Sequence, residues 1–182
     1  MKMFRNLLPF VAILAVLPGD SDAQQVDSSQ FRDWELRCPA GSGATGPEGQ
    51  PSSGCVLTQP LLLKDGRQLL ALQIAAVGTG GEDSNEKRDY ALILSAPLGV
   101  HLPSGARIQV DDTASLNLVF ERCDEAGCYA GTLVSANLDS AMESGSDLTV
   151  AIQDLNGREI TARMSLLGYT SGMQALRERD PG

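Results

Sequence analysis

The sequence predicts an all-β chain folded as a sandwich or barrel, with one or two short helices. Three observations carry this expectation. Apolar and polar residues alternate with period two through most of the chain. Clusters of glycine, proline, asparagine and aspartate separate the alternating runs. Lys/Glu-rich helical stretches are few, whereas glycines number 19 and prolines 9. About eight to ten short strands joined by turns suit either all-β architecture.

The elements follow in chain order. In "DWELRC", Trp34, Leu36 and Cys38 share one face and Asp33, Glu35 and Arg37 the other. "RQLLALQIAAV" (67–77) and "YALILSA" (90–96) are more continuously apolar, which predicts central strands covered on both faces. "LNLVFE" places Leu116, Leu118 and Phe120 on one face of a single strand run. "DLTVAIQ" turns Leu148, Val150 and Ile152 inward, and "EITARMSL" turns in Ile160, Ala162, Met164 and Leu166. "KDGR" (64–67), "LPSGA" (102–106) and "LNGR" (155–158) are turns, the last with the Asn-Gly pair of a tight hairpin. Two stretches change period. "LDSAMESG" (138–145) has Leu138, Ala141 and Met142 at helical spacing, with Gly145 as a stop. "TSGMQALRER" (170–179) reads as a short terminal helix, weakened at its start by Gly172.

The N-terminus predicts export. Met1, Lys2 and Arg5 precede the apolar run "LLPFVAILAVL" (7–17), and Ser21-Asp22-Ala23 supplies small residues at a cleavage site. This is the pattern of a secretory signal peptide spanning residues 1–23. As a helix the run would rise ~17 Å, too little for a hydrocarbon core of ~30 Å. Residues 24–182 are then expected to form one domain, without stable insertion in a membrane after cleavage. The formal net charge is −9, and residues 1–23 contribute none of it. So acidic a surface disfavours nucleic acid as a partner. Two Gly/Pro/Ser-rich or polar stretches, 39–54 and 78–89, are expected to be loops.

Four cysteines in an exported chain read first as two disulfides, for which three connectivities exist. Cys123 and Cys128 end one strand run and begin the next, so a hairpin would set them opposite each other within disulfide reach. Cys38 and Cys55 are then left to pair. A zinc site would want tighter knuckles than this spacing offers. Asp124 and Glu125, between the two cysteines, disfavour a reactive thiolate.

No catalytic, cofactor-binding or metal-ligating set emerges. His101 is the one histidine in the sequence, and it sits in a strand-end loop, "PLGVHLPSG". No serine lies in a nucleophile elbow and HExxH is impossible with one histidine. "DLNG" (154–157) and "DD" (111–112) resemble calcium-loop fragments without a full ligand set. "GTGG" follows a strand but opens no helix, so it is not a phosphate loop. The expectation is a protein that is not an enzyme.

The order of "DWELRC", Cys55, "APLGVHLPSGARIQVDD", "LVFERCDEAGCYA" and "MSLLGYTSGMQAL" resembles the invasion-associated locus B family of small exported alphaproteobacterial proteins. Tyr169 stands where that resemblance leads one to expect phenylalanine. The resemblance implies an immunoglobulin-like β-sandwich, a periplasmic, outer-envelope or secreted location, and a link to host-cell invasion. It supplies no catalytic residues. The expected role is binding of an envelope or host protein, through the 39–54 and 78–89 loops and exposed strand edges. The alternatives are a surface adhesin and a carboxylate-dependent hydrolase.

Overall fold

The computed structural model describes residues 27–39, 54–77 and 89–179. The expected signal peptide and most of the 39–54 and 78–89 stretches, including "GTGG", lie outside the described residues.

Among the described residues, eleven strands form two antiparallel sheets. The larger contains β1 (Asp27–Phe31), β2 (Trp34–Cys38), β3 (Val56–Leu62), β4 (Gln68–Val77), β5 (Asp89–Ala96), β8 (Phe120–Asp124) and β9 (Gly127–Leu133). Its order is β1-β2-β3-β4-β5-β9-β8. The smaller contains β6 (Ala106–Val110), β7 (Ala114–Leu118), β10 (Asp147–Gln153) and β11 (Glu159–Ser165), in the order β11-β10-β6-β7. Two helices complete the fold, α1 (Ala136–Ser144) and α2 (Tyr169–Arg179). The expected β-sandwich with a C-terminal helix is present.

Period two does place the core. Trp34, Leu36, Leu57, Leu72, Ile74, Leu92 and Leu94 from the larger sheet meet Ile108, Val110, Leu148 and Val150 from the smaller in one buried cluster. β4 and β5 differ from the expectation in having only one fully buried face. Their outward residues Gln73, Ala75, Ala91 and Ile93 are half-buried, because no second layer among the described residues covers that side. "LNLVFE" also differs: it divides into β7 and β8, which belong to different sheets. Val119 is the pivot and is 71% exposed. The alternation survives the crossing because both sheets turn Leu118 and Phe120 into the same core.

The larger sheet is wider than its partner, and α2 covers the excess. It packs on β1, β2 and β3. Tyr169 is fully buried edge-on to Trp34, ring centroids 5.5 Å apart. Such a pair adds about 1 kcal/mol beyond its burial. The Trp34 indole N–H donates to the Ser165 carbonyl, 3.2 Å away. Gly168 turns the chain into the helix at φ 98°, and a Cβ there would lie 1.9 Å from the Phe31 carbonyl oxygen. Gly172 is not a weak start but a contact point: a Cβ would lie 2.6 Å from Leu57 Cδ1. Ser135 caps α1 by accepting from the Leu138 N–H. Gly145 ends that helix at φ −78°, so it is needed for space, a Cβ there meeting Val110 at 2.7 Å.

Polar contacts finish the docking. The Tyr169 hydroxyl donates to Asp139 of α1 at 2.7 Å, and Arg177 pairs with the same carboxylate. Arg179 reaches Asp27 of β1 at 2.6 Å. Burial first, and then the hydrogen bond to Asp139, push the Tyr169 phenol well above its ordinary range.

Two disulfides join neighbouring strands of the larger sheet. Cys38–Cys55 links β2 to the residue before β3, with Cα atoms 4.1 Å apart. Cys123–Cys128 spans β8 and β9 at directly opposed positions, Cα atoms 4.0 Å apart. Gly127 takes a φ of 153°, and a Cβ there would meet the Ala96 carbonyl at 2.4 Å, so close approach to β5 as well as backbone freedom calls for glycine.

Three outcomes are expected. Gly172→Ala should destabilise by about 1–3 kcal/mol through overpacking. Gly168→Ala should cost more, and Gly157→Ala, with open space around it and only its φ of 78° against it, about 1–2 kcal/mol; denaturant unfolding of the three variants gives the order. Removing the Cys123–Cys128 bridge should cost ~2 kcal/mol on the chain-entropy model, and non-reducing peptide mapping should link 38 to 55 and 123 to 128. Tyr169→Phe should cost about 1 kcal/mol at neutral pH. A raised phenol contributes its stability below the ordinary value of 10.0 and loses it as pH rises above that value. Alkaline unfolding should therefore be steeper in the wild type than in the phenylalanine variant.

Candidate functional site

The register places the two ends of the sandwich in different chemical settings. One end collects the β3–β4 turn, the segment after β5, the 3-10 turn Leu102–Ser104 and the β10–β11 hairpin. The bridge between Val100 and Asp154 holds the two sheets together there. Leu62, Leu63, Leu98, Leu102, Val119 and Leu155 are exposed around this end, and only Leu133 and Leu167 of the large exposed apolar residues lie elsewhere among the described residues. Leu98 is 59% and Leu155 71% exposed. Turn chemistry fixes their positions: Gly66, Gly99, Gly105 and Gly157 all have positive φ.

Several charges at this end are paired. Asp65 pairs with Arg67 at 2.8 Å, Arg122 with Asp124 at 2.9 Å and Arg158 with Asp154 at 2.6 Å. The Arg158 backbone N–H above all, with that of Asn156 and the Arg158 guanidinium, holds the Asp154 carboxyl below its ordinary range. "DLNG" is thus a capped hairpin. "DD" is similarly structural: Asp111 accepts from the Ser146 and Asp147 N–H groups, tying β6 to β10. No group of three or more His, Cys, Asp or Glu among the described residues is placed to hold a metal.

His101 does have a partner that spacing alone did not single out. Its Nδ1 lies 2.7 Å from the Ser104 hydroxyl, which donates to Gln153 Oε1 at 2.8 Å. A hydroxyl has one hydrogen to give. With that hydrogen on Gln153, the imidazole donates to the serine, the reverse of a base activating a nucleophile. The chain of contacts locks the 3-10 turn against the end of β10.

The 39–54 and 78–89 stretches leave from the opposite end. Their described anchors are Cys38 and Cys55 on one side and Val77 paired with Asp89 on the other, on adjoining strands. The stretches themselves lie outside the described residues.

Sequence reasoning also missed a cleft of about 420 Å³ between β11, β3 and the β1–β2 turn. Gln59 lines it, 6% exposed, with no hydrogen-bond partner for its Oε1. The sequence carried one trace of it: in the inward series Leu57, Gln59, Leu61, an amide interrupts the apolar face.

Comparison with known proteins accords with this fold. The sequence profile described as invasion associated locus B (IalB) protein matches residues 34–177. Two invasion protein B homologs of Brucella abortus, from strain 2308 and from biovar 1 strain 9-941, are each 26% identical over 176 residues. The alignment covers 96% of this chain and 91% of each relative. The crystal structure of invasion associated protein B from Bartonella henselae superposes with a TM-score of 0.66 at 17% identity. It covers 85% of this chain and 99% of that one, a likeness of fold. The profile match runs from Trp34 in β2 to Arg177 in the terminal helix, and the chain belongs to the invasion associated locus B family.

Proposed function

We propose that the protein is an exported, periplasmic component of the cell envelope that works by binding another protein, without catalysis, at the apolar end of its sandwich. The concentration of exposed leucines and valine at that end carries this reading. Exposed apolar side chains gathered in one region mark interaction sites, whereas scattered ones do not. Paired charges around them lower the cost of removing water from the patch, and the shallow, leucine-lined surface suits a protein partner of the envelope. The export pattern at the N-terminus and the paired cysteines support an oxidising compartment. No helix among the described residues is long and apolar enough to cross a membrane. The net charge of −9 weighs against nucleic acid as the partner.

A second reading, action on a host cell from the bacterial surface, is favoured by the names of the Brucella relatives, which are called invasion protein B homologs. The two readings differ in where the protein resides and in the origin of its partner.

Photo-crosslinking in the producing bacterium distinguishes them. Photoreactive residues at positions 98, 102 and 155 should each give one discrete adduct with the same envelope protein, and those at 115 and 161 none. Adducts of equal yield from all five positions, or none from the first three, would sink the proposed surface. Adducts that form only with host material favour the second reading. Leu98→Asp with Leu155→Asp should weaken the complex about tenfold or more, at 1–2 kcal/mol per leucine, and leave unfolding unchanged. Export predicts a mature N-terminus at Gln24 and release by osmotic shock; an intact Met1 in the cytoplasm would exclude it.

A further inference from the structure

We propose that the outer face of the larger sheet, the side turned away from the smaller sheet, is a contact surface between two copies of this chain. It lies apart from the leucine-rich end. The sequences of β4 and β5 point to it. An antiparallel strand with one face in solvent alternates apolar and polar residues. "LLALQIAAV" (69–77) and "ALILSA" (91–96) do not alternate, yet no layer among the described residues covers their outer side.

The strand register joins the outward residues into rows. Val56, Ala75, Ala91 and Leu133 adjoin across β3, β4, β5 and β9. Thr58, Gln73, Ile93 and Gly131 form the next row, and a third runs from Pro60 to Tyr129. None of the three rows contains a charged side chain. Leu133, one of the two large exposed apolar residues away from the leucine-rich end, stands in the first row at 57% exposure. Charges return at the borders, where Asp89 lies one step past the first row. On the flanking strands they are already paired within the copy: Arg37 with Glu35 at 2.7 Å on β2, and Arg122 with Asp124 at 2.9 Å on β8. An uncharged centre inside a polar rim is the anatomy of a protein interface.

Charge, shape and area select a second copy as the occupant. With a net charge of −9, two copies repel wherever their acids face each other. Repulsion is least across this face, which also offers nothing to draw a partner of opposite charge. A two-fold axis running along the strands between β4 and β5 sets the face against itself. Each row then meets its own reverse: Leu133 meets Val56 of the second copy, Gly131 leaves room for its Thr58, and Ala75 meets its Ala91. The small residues at the centre suit the ~10 Å spacing of stacked sheets. Three rows span ~20 Å along the strands and four strands ~19 Å across them. With side-chain relief and rims added, that footprint reaches the low end of specific interfaces, ~1,200 Å² in total.

Sedimentation velocity of the mature protein from about 1 to 200 μM should show monomer passing reversibly to dimer, with a Kd of roughly 1–100 μM. Ile93→Lys and Ala91→Lys should each weaken the dimer about tenfold or more, and Ala91→Lys keeps the test decisive should Ile93→Lys fail to fold. Thr161→Lys, on the outer face of the smaller sheet, should leave the dimer unchanged. In a mixture of light and heavy isotope copies, a photoreactive residue at 93 should crosslink to β4 of the other copy. A protein that stays monomeric throughout would overturn the proposal; an adduct from position 93 with a different envelope protein would then assign the face to that protein. A dimer that survives both lysine variants but is lost in Leu98→Asp with Leu155→Asp would belong to the leucine-rich end and overturn it equally.

Discussion

A seven-stranded sheet facing a four-stranded one leaves inner surface without a cover, and the rest of the fold is arranged around that mismatch. The chain closes the gap with its last eleven-residue element, laid across β1, β2 and β3. The closure turns on one aromatic pair. Trp34 belongs to the uncovered part of the larger sheet and Tyr169 to the helix that covers it. Neither has any exposed surface, and each uses its polar atom, Trp34 on the Ser165 carbonyl and Tyr169 on Asp139. The helix cannot be moved outward to accept larger residues, because Gly168 and Gly172 set its backbone against Phe31 and Leu57.

That arrangement explains which stretches of sequence are most constrained. "SLLGY" is the turn that brings the chain from β11 into the helix: Ser165 receives the indole, Leu166 is buried, Gly168 makes the positive φ and Tyr169 makes the aromatic contact. Leu167 points out and is free of the core. "PLGVHLPSG" does a similar job at the other end, where Val100 is buried, Gly99 and Gly105 take positive φ, and Ser104 joins His101 to β10. The Tyr169 hydroxyl is matched by a nearby acceptor, Asp139, so it is not left unpaired.

Local pattern revealed much of the fold and little of the site. Alternation identified the inward residues of β2, β10 and β11, since a side-chain period of two needs no knowledge of the partner. It could not reveal that Leu118 and Phe120 sit in different sheets, because both faces look into one core. The role of Gly172 was hidden for the same reason: its need for space is set by Leu57, 115 positions earlier in the chain. Gln59 shows the limit from the other side. One amide in an apolar series is visible in sequence, but its missing partner and the cleft beside it exist only once β11 is in place. The exposed leucines were equally anonymous until the register gathered them at one end.

Arg179 in the last helical turn reaches Asp27 and Ser29 in the first strand, so the two extremities of the folded body meet. This closure has a consequence for the order of assembly. A chain emerging from its N-terminus presents β1, β2 and β3 long before the residues that shelter Trp34 and Leu57 exist in the same space. Those strands must wait, with their apolar face open, until the final helix follows. The body can thus lock only once its last helix has been made, so a chain still lacking that helix keeps Trp34 and Leu57 open to whatever surrounds it.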